Sequence, residues 1–307
     1  MHKPTTPHQK KLLDHPFLGP KALDAADPID TLHDEAQSRS AGSATACTGV
    51  PSGLPDLNVM TLGFQESELA VISGRPSVGK TILAMTMAAN IAIRDRMTCA
   101  FFSLEVAGMV IMQRLLASEA CIPTNTIRSD LIKPTDFNSI LEAAGRIYEA
   151  PLYIIDIPYI KLLDLVIMAR RLKAEKDVKI IFIDYLTLII HENVELPRWE
   201  QISDISRSLK ALARELRIPI VALSLLKREA EDKPPTLADL GELGSIVQDA
   251  DLILFLHHDR EPDNPKEEQP SMVETDLIIA KQPKGLLDKV KVAFLPDYAR
   301  FDPIEPS

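Results

Sequence analysis

Gly74-Arg75-Pro76-Ser77-Val78-Gly79-Lys80-Thr81 is the stretch whose reading decides the fold. A glycine, four residues, then Gly-Lys-Thr is the pattern of a phosphate-binding P-loop. The flanks fit that reading. Leu69 to Ser73 is a short apolar run of strand length, and Thr81 to Ile93 has the composition of a buried helix. Strand, loop and helix start together form an anion site. Backbone N–H groups of residues 74–81, Pro76 excepted, converge there, and the helix dipole favours negative charge. Lys80 is placed to reach the β- and γ-phosphates of ATP, and the Thr81 hydroxyl to ligate Mg²⁺.

Two further carboxylates belong to this reading. Lys179-Ile-Ile-Phe-Ile-Asp184 is an apolar strand ending in an acid. Such an acid at the C-terminal edge of a parallel sheet can hold the Mg²⁺ of a bound nucleotide, although a strand-end Asp can also cap a helix. Phe101-Phe-Ser-Leu-Glu105 ends the next strand after the loop. Glu105 is placed to orient or deprotonate a water attacking the γ-phosphate; taken alone, it is equally a solvated loop glutamate.

The rest of the chain predicts an α/β fold. Strands are expected at Leu69–Ser73, Thr98–Ser103, Leu152–Ile155, Lys179–Asp184, Ile218–Ser224, Asp251–His257, Thr275–Gln282 and Lys289–Leu295, with helices near 107–120, 135–149, 161–175 and 200–217. Ile202, Ile205, Leu209, Leu212 and Leu216 form one stripe on the last helix. Uniformly apolar strands alternating with helices give a mostly parallel sheet covered on both faces. The strand-rich C-terminal part predicts an antiparallel extension. Residues 1–46 carry five prolines and end in a Ser/Ala/Gly run, so they are expected to be a flexible linker ahead of one domain at 47–307. Residues 259–271 form a polar, Pro-rich insertion and an expected mobile loop.

Composition limits the alternatives. The net charge of −10, from 34 basic and 44 acidic residues, argues against a surface coated for nucleic acid but allows a local basic channel. Cys47, Cys99 and Cys121 are scattered, which fits neither a zinc site nor a disulfide framework and suits a reducing cytoplasm. The apolar run Ile82–Ile93 is too short to span a bilayer, and the N-terminus has no secretory apolar region.

A chain of segments then points to a family. Thr48-Gly-Val-Pro-Ser-Gly-Leu-Pro-Asp-Leu-Asn, the P-loop with its Arg-Pro-Ser, Phe-Ser-Leu-Glu, Ile-Asp-Tyr-Leu, Ile-Ser-Arg-Ser-Leu-Lys-Ala-Leu-Ala-Arg-Glu-Leu, Pro-Ile-Val-Ala-Leu-Ser and Gly-Ser-Ile-Val-Gln-Asp-Ala-Asp occur in order. From about Thr48 to Asp302 the chain resembles the C-terminal motor domain of DnaB-type replicative DNA helicases. The resemblance implies a RecA-like fold, a ring of six subunits, ATP hydrolysis between neighbours and single-stranded DNA in the central channel, with other replication proteins as further partners. It implies that Lys80 and Thr81 bind phosphate and Mg²⁺, that Asp184 is the Mg²⁺-side carboxylate, that Glu105 is the catalytic base, and that Lys281 is a cation reaching the neighbour's nucleotide. The family's N-terminal domain is not expected within residues 1–46.

Departures from the family pattern qualify that expectation. Ser224-Leu-Leu-Lys-Arg puts Leu225 where the family has a glutamine, and leucine offers no hydrogen bond to phosphate. Lys281-Gln-Pro-Lys-Gly285 puts Pro283 at the arginine-finger position, with Lys284 beside it as an imperfect substitute. Asp239-Leu-Gly-Glu-Leu-Gly244 puts Gly241 where the channel segment carries arginine. Two readings remain: an ATP-driven DNA motor, and a catalytically weakened relative that binds ATP as a replication assembly or regulatory partner. A RecA-like ATPase of recombination or signalling would leave the family-specific segments unexplained.

Overall fold

A computed structural model describes residues 47–128, 132–226, 233–258, 271–283 and 285–304. The chain divides into the units Met1–Ala46 and Cys47–Ser307, and the description concerns the second. The N-terminal segment, most of the 259–271 insertion, and Lys284 lie outside it.

The elements run in chain order as α1 (Pro55–Thr61), β1 (Leu69–Gly74), α2 (Lys80–Ala89), β2 (Cys99–Ser103), α3 (Gly108–Ala120), α4 (Thr124–Arg128), α5 (Phe137–Glu149) and β3 (Leu152–Asp156). After these come α6 (Leu162–Lys176), β4 (Ile180–Asp184), α7 (Arg198–Leu216), β5 (Ile220–Leu225), α8 (Ile246–Asp249), β6 (Leu252–His257), β7 (Val273–Lys281), β8 (Lys289–Leu295) and β9 (Arg300–Pro303). Among the described residues they build one sheet in the order β3-β2-β4-β5-β1-β6-β7-β8-β9. The first six strands in that order are parallel, and β7, β8 and β9 extend the sheet antiparallel. This is the expected doubly covered sheet with its C-terminal extension.

Alternation within each strand divides the core. Ala70, Ile72, Phe101, Phe182, Val221, Leu223 and Leu254 pack against α2 and α3 on one face. Val71, Phe102, Ile181, Ile183, Ala222 and Phe255 pack on the other against Leu165 of α6, and against Ile202, Ile205, Leu209 and Leu212 of α7. The predicted stripe on α7 is therefore its buried face, with Leu216 only partly covered.

Several boundaries differ from expectation. The helix after the P-loop is α-helical only to Ala89 and widens into a π-helical turn over Asn90–Arg94. Asn90 is buried there beside Gly53. Strand β5 starts at Ile220 and not Ile218, because Pro219 has no N–H for the ladder. Helices α1, α4 and α8 and strand β9 are additions to the expected elements. Pro55 at the first helical position is a start signal, but seven residues give too short a period to read. In β9 only Phe301 marks a strand made of Arg-Phe-Asp-Pro.

Strand β9 matters to the loop. Phe301 is buried, stacks on Phe294 with ring centroids 4.7 Å apart, and donates its backbone N–H to Thr86 Oγ1 of α2 at 3.2 Å. A Cβ added to Gly79 would lie 3.1 Å from the Phe301 ring. The aromatic pair is thus the floor of the P-loop. Phe301→Ala should lower unfolding free energy by about 3–5 kcal/mol, the usual cost of emptying a buried phenylalanine site. Urea denaturation measures it; a loss under about 1 kcal/mol would mean that the floor is not packed as described.

Candidate functional site

Strands β1, β5, β4 and β2 are neighbours, and their C-terminal ends form one edge. Gly74 ends β1 and Asp184 ends β4, with Ser103 of β2 level with Asp184. Parallel pairing alone brings the three predicted elements together. The loop leaves Gly74 through Arg75 and Pro76. It turns at Ser77, whose φ is 66°, and at Gly79, whose φ is 93°, then enters α2 at Lys80. A φ of 93° suits glycine and strains any residue with a Cβ. Val78 is buried and anchors the loop in the core.

Two charged groups are buried at this edge. Lys80 is 8% exposed, and its ammonium donates to the Arg75 carbonyl at 2.6 Å. Burial pulls its pKa down to about 8, against the opposing pull of Asp184 and Glu105. Asp184 is 1% exposed and bonded by the Thr81 side chain. Burial pushes its pKa up to about 6; the Thr81 bond lowers it, the Glu105 charge raises it, and Lys80 and Arg114 lower it. Its backbone carbonyl accepts from Leu104 N at 2.8 Å, which ties β4 to the segment carrying Glu105. Glu105 itself is exposed.

The carboxylate of Asp184 also tests the fit for a metal. Its Oδ2 is buried without a hydrogen-bond partner, while Thr81 occupies the carboxylate as well. A hydroxyl and an under-satisfied carboxylate side by side are hard oxygen donors of the kind Mg²⁺ takes. Thr81 and Asp184 therefore fit the ion.

Arg114 and Tyr185 belong to the site although sequence reasoning passes over them. Arg114 is the one basic residue of α3, and its charge acts on Asp184. Tyr185 comes directly after Asp184; its phenol is pushed up by burial first, then by Glu105, Asp184 and Tyr159. The isolated cation on α3 is a usable signal, but nothing in the sequence says that this helix turns it toward β4.

Other predicted residues lie apart. The Arg75 guanidinium turns to the Lys233 carbonyl at 2.8 Å, so its side chain is committed away from Lys80. Leu225 is half-buried and level with Gly74, an apolar group at a polar edge. Lys281 ends β7 beside Ile253, toward the opposite edge of the sheet, and donates to the carbonyls of Val247 at 2.6 Å and Ala250 at 2.5 Å. Pro283 lies two residues beyond it, exposed. Within one chain, Lys281 and Pro283 are not brought to the P-loop. Gly241 takes φ 54°, ψ −117°, a backbone an arginine would not hold, so the departure there changes the path of the segment as well as its charge.

The geometry is that of a nucleotide-binding P-loop protein, and the comparisons specify it. A model of the DnaB-like helicase C-terminal domain matches residues 49–303, and the chain belongs to that family. It is 51% identical over 253 residues to the replicative DNA helicase DnaB of Treponema pallidum (strain Nichols), covering 82% of this chain and 56% of that protein. Against the DnaB of Geobacillus stearothermophilus it is 41% identical over 266 residues, covering 84% of this chain and 57% of that one. The chain thus spans a little over half the length of these curated relatives. Among solved structures, an isolated ATPase domain superposes with a TM-score of 0.82 at 31% identity, over 93% of this chain and 100% of that one. A DnaB-like replicative helicase, solved in a study of its interactions with primase, gives 0.79 at 31% identity over 93% and 68%.

The buried carboxylate makes a pH-dependent prediction. The folded-state pKa of Asp184 lies above its ordinary value, so the folded chain holds the proton more tightly than the unfolded one. Stability from this group is highest near pH 4 and falls as pH rises through about 6. A rise from 3.8 to about 6 corresponds to about 3 kcal/mol. Asp184→Asn should therefore unfold at higher urea than the parent at pH 8, by up to about 3 kcal/mol, with the gap closing near pH 4. A variant no more stable than the parent at pH 8 would contradict it.

Proposed function

We propose that residues 47–307 form the ATP-hydrolysing motor of a DnaB-type replicative DNA helicase, acting on single-stranded DNA as a ring of head-to-tail copies, with residues 1–46 as its linker. The observation that carries this reading is the placement of Lys80, Thr81, Glu105 and Asp184 at one sheet edge, with Lys80 and Asp184 buried and acting on one another's charge and Thr81 bonded to Asp184.

In this reading the backbone N–H groups of residues 74–81, Pro76 excepted, cradle the ATP phosphates, and Lys80 leaves the Arg75 carbonyl for the β- and γ-oxygens. Thr81 and Asp184 would hold Mg²⁺, which would supply positive charge against the negative charge of the phosphates. Glu105, exposed beside the pair, takes the proton of the attacking water. Arg114 supports the same site from α3. Lys281 and Pro283 lie away from their own P-loop, and a head-to-tail contact is the arrangement that gives such a surface a nucleotide to meet. The Leu237–Leu243 segment is the DNA-facing part, with Gly241 offering backbone in place of a guanidinium. Other replication proteins are further partners; the solved relative's own interactions with primase make that protein the first to test. A cytoplasmic setting accompanies this role, and no helix among the described residues is long and apolar enough to cross a membrane.

A weakened, binding-only relative is the lesser reading. Leu225 and Pro283 favour it, but the four phosphate-side groups are all present.

Two variants test the chemistry. Lys80→Ala should abolish turnover by removing the β/γ-phosphate cation, whereas Glu105→Gln should still bind ATP and hydrolyse it about 10²–10⁴-fold more slowly. Steady-state ATPase assays with and without oligo(dT), beside equilibrium nucleotide binding, decide it; a Glu105→Gln variant as fast as the parent moves the base elsewhere.

Assembly gives a separate test. Hydrolysis per subunit should rise with protein concentration as junctions form, alongside the mass measured by light scattering. A monomer whose specific activity stays constant across a wide concentration range would favour the binding-only reading.

A further inference from the structure

The side chain of Arg75 is unused by the chemistry above. It stands between Gly74, the last residue of β1, and Pro76, which restricts the residue before it to extended backbone. Pro76 thus limits the backbone at Arg75, while the guanidinium is held at its far end. Its Nη2 donates to the Lys233 carbonyl at 2.8 Å. Its own carbonyl accepts the Lys80 ammonium at 2.6 Å. One residue thus touches both the phosphate-binding cation and the segment leading into Leu237–Leu243.

The chain after Lys233 is stiff. Pro234 and Pro235 have fixed φ. Thr236 and Asp239 close a capping box: Thr236 N donates to Asp239 Oδ2 at 2.6 Å, and Thr236 Oγ1 to the same oxygen at 2.9 Å. Leu240 and Leu243 are buried, both in the core face beneath α7. The far end is held as well, by Lys281 on the Val247 and Ala250 carbonyls. Two fixed proline φ angles and the capping box leave few backbone torsions between Lys233 and Leu237 to absorb a displacement of the Lys233 carbonyl.

We propose that Arg75 is a positioning residue that transmits nucleotide binding at the P-loop to the Lys233–Ala250 segment. A phosphate that takes the Lys80 ammonium removes a bond from the Arg75 carbonyl. The Arg75 backbone, released on that side, carries its guanidinium and with it the Lys233 carbonyl. This inference rests on the reading of the P-loop as an ATP site and of Leu237–Leu243 as the DNA-facing segment; it adds the mechanical link between them.

Hydrogen exchange of the full chain, with and without saturating non-hydrolysable ATP analogue, tests the link, and analogue binding is measured first by calorimetry. In the parent protein the analogue should change exchange across 236–250 and shift oligo(dT) affinity about tenfold, within the usual range of site-to-site coupling. In Arg75→Ala at saturating analogue both responses should vanish, and Arg75→Lys, which keeps a donor, should recover part of them. If Arg75→Ala responds to bound analogue as the parent does, the link runs elsewhere and the proposal fails. It fails equally if the parent binds analogue with no change in 236–250. If the parent binds no analogue at all, the nucleotide reading falls and takes the link with it, an outcome distinguishable from the other two at the calorimetric step.

Discussion

Two opposite charges buried at the end of a parallel sheet are the constraint on which the rest of this architecture depends. Lys80 and Asp184 are among the most deeply covered charged groups described, and each is displaced toward its neutral form by that cover. Such a pair is tolerated only if its surroundings are held in place, because misplacement leaves a charge with neither water nor partner. The sheet supplies this. β1 and β4 lie on either side of β5, so the spacing between loop and carboxylate is set by two strand-to-strand steps and not by flexible chain.

The antiparallel extension serves the same edge from the other side. β7 and β8 carry alternating residues that close the core under α2, and β9 brings Phe301 beneath Gly79. Cross-strand ion pairs, Asp276 with Lys289 and Glu274 with Lys291, lie on the extension, exposed enough to add little to stability. Their pairing of opposite charges across β7 and β8 instead favours one register. At the other end of β7, Lys281 closes the C-terminus of α8, while Asp251 takes Lys210 and the Leu69 N–H. The junction of α8 and β6 is therefore pinned by two lysines from different elements.

Much of this was legible in the sequence because it is written in short range. Eight consecutive residues specify the loop, and apolar runs ending in Asp184 or Glu105 specify their strands. What was not legible depends on distant partners. Arg114 reads as a surface cation until α3 is placed against the sheet. The commitment of Lys281 to Val247 and Ala250 depends on two carbonyls far back along the chain. Phe301 sits in a segment with no strand period, and its role is visible only from Gly79. The π-helical turn at Asn90 arises where a buried amide must be accommodated beside Gly53, a tertiary demand that helix periodicity does not carry.

The floor beneath the phosphate loop bears on how the protein is made. Thr86 and Phe301 are bonded across 215 residues of chain. A ribosome delivers the loop, its helix and both carboxylates well before it delivers the strand that supports them. Until then Gly79 rests on nothing from β9, and the apolar underside of α2 lies open. Sheet, helices and loop can condense as they emerge, yet the ligand-ready conformation waits for nearly the last described residues. The supported phosphate loop is therefore a late product of folding, complete only once β9 has emerged and docked beneath α2.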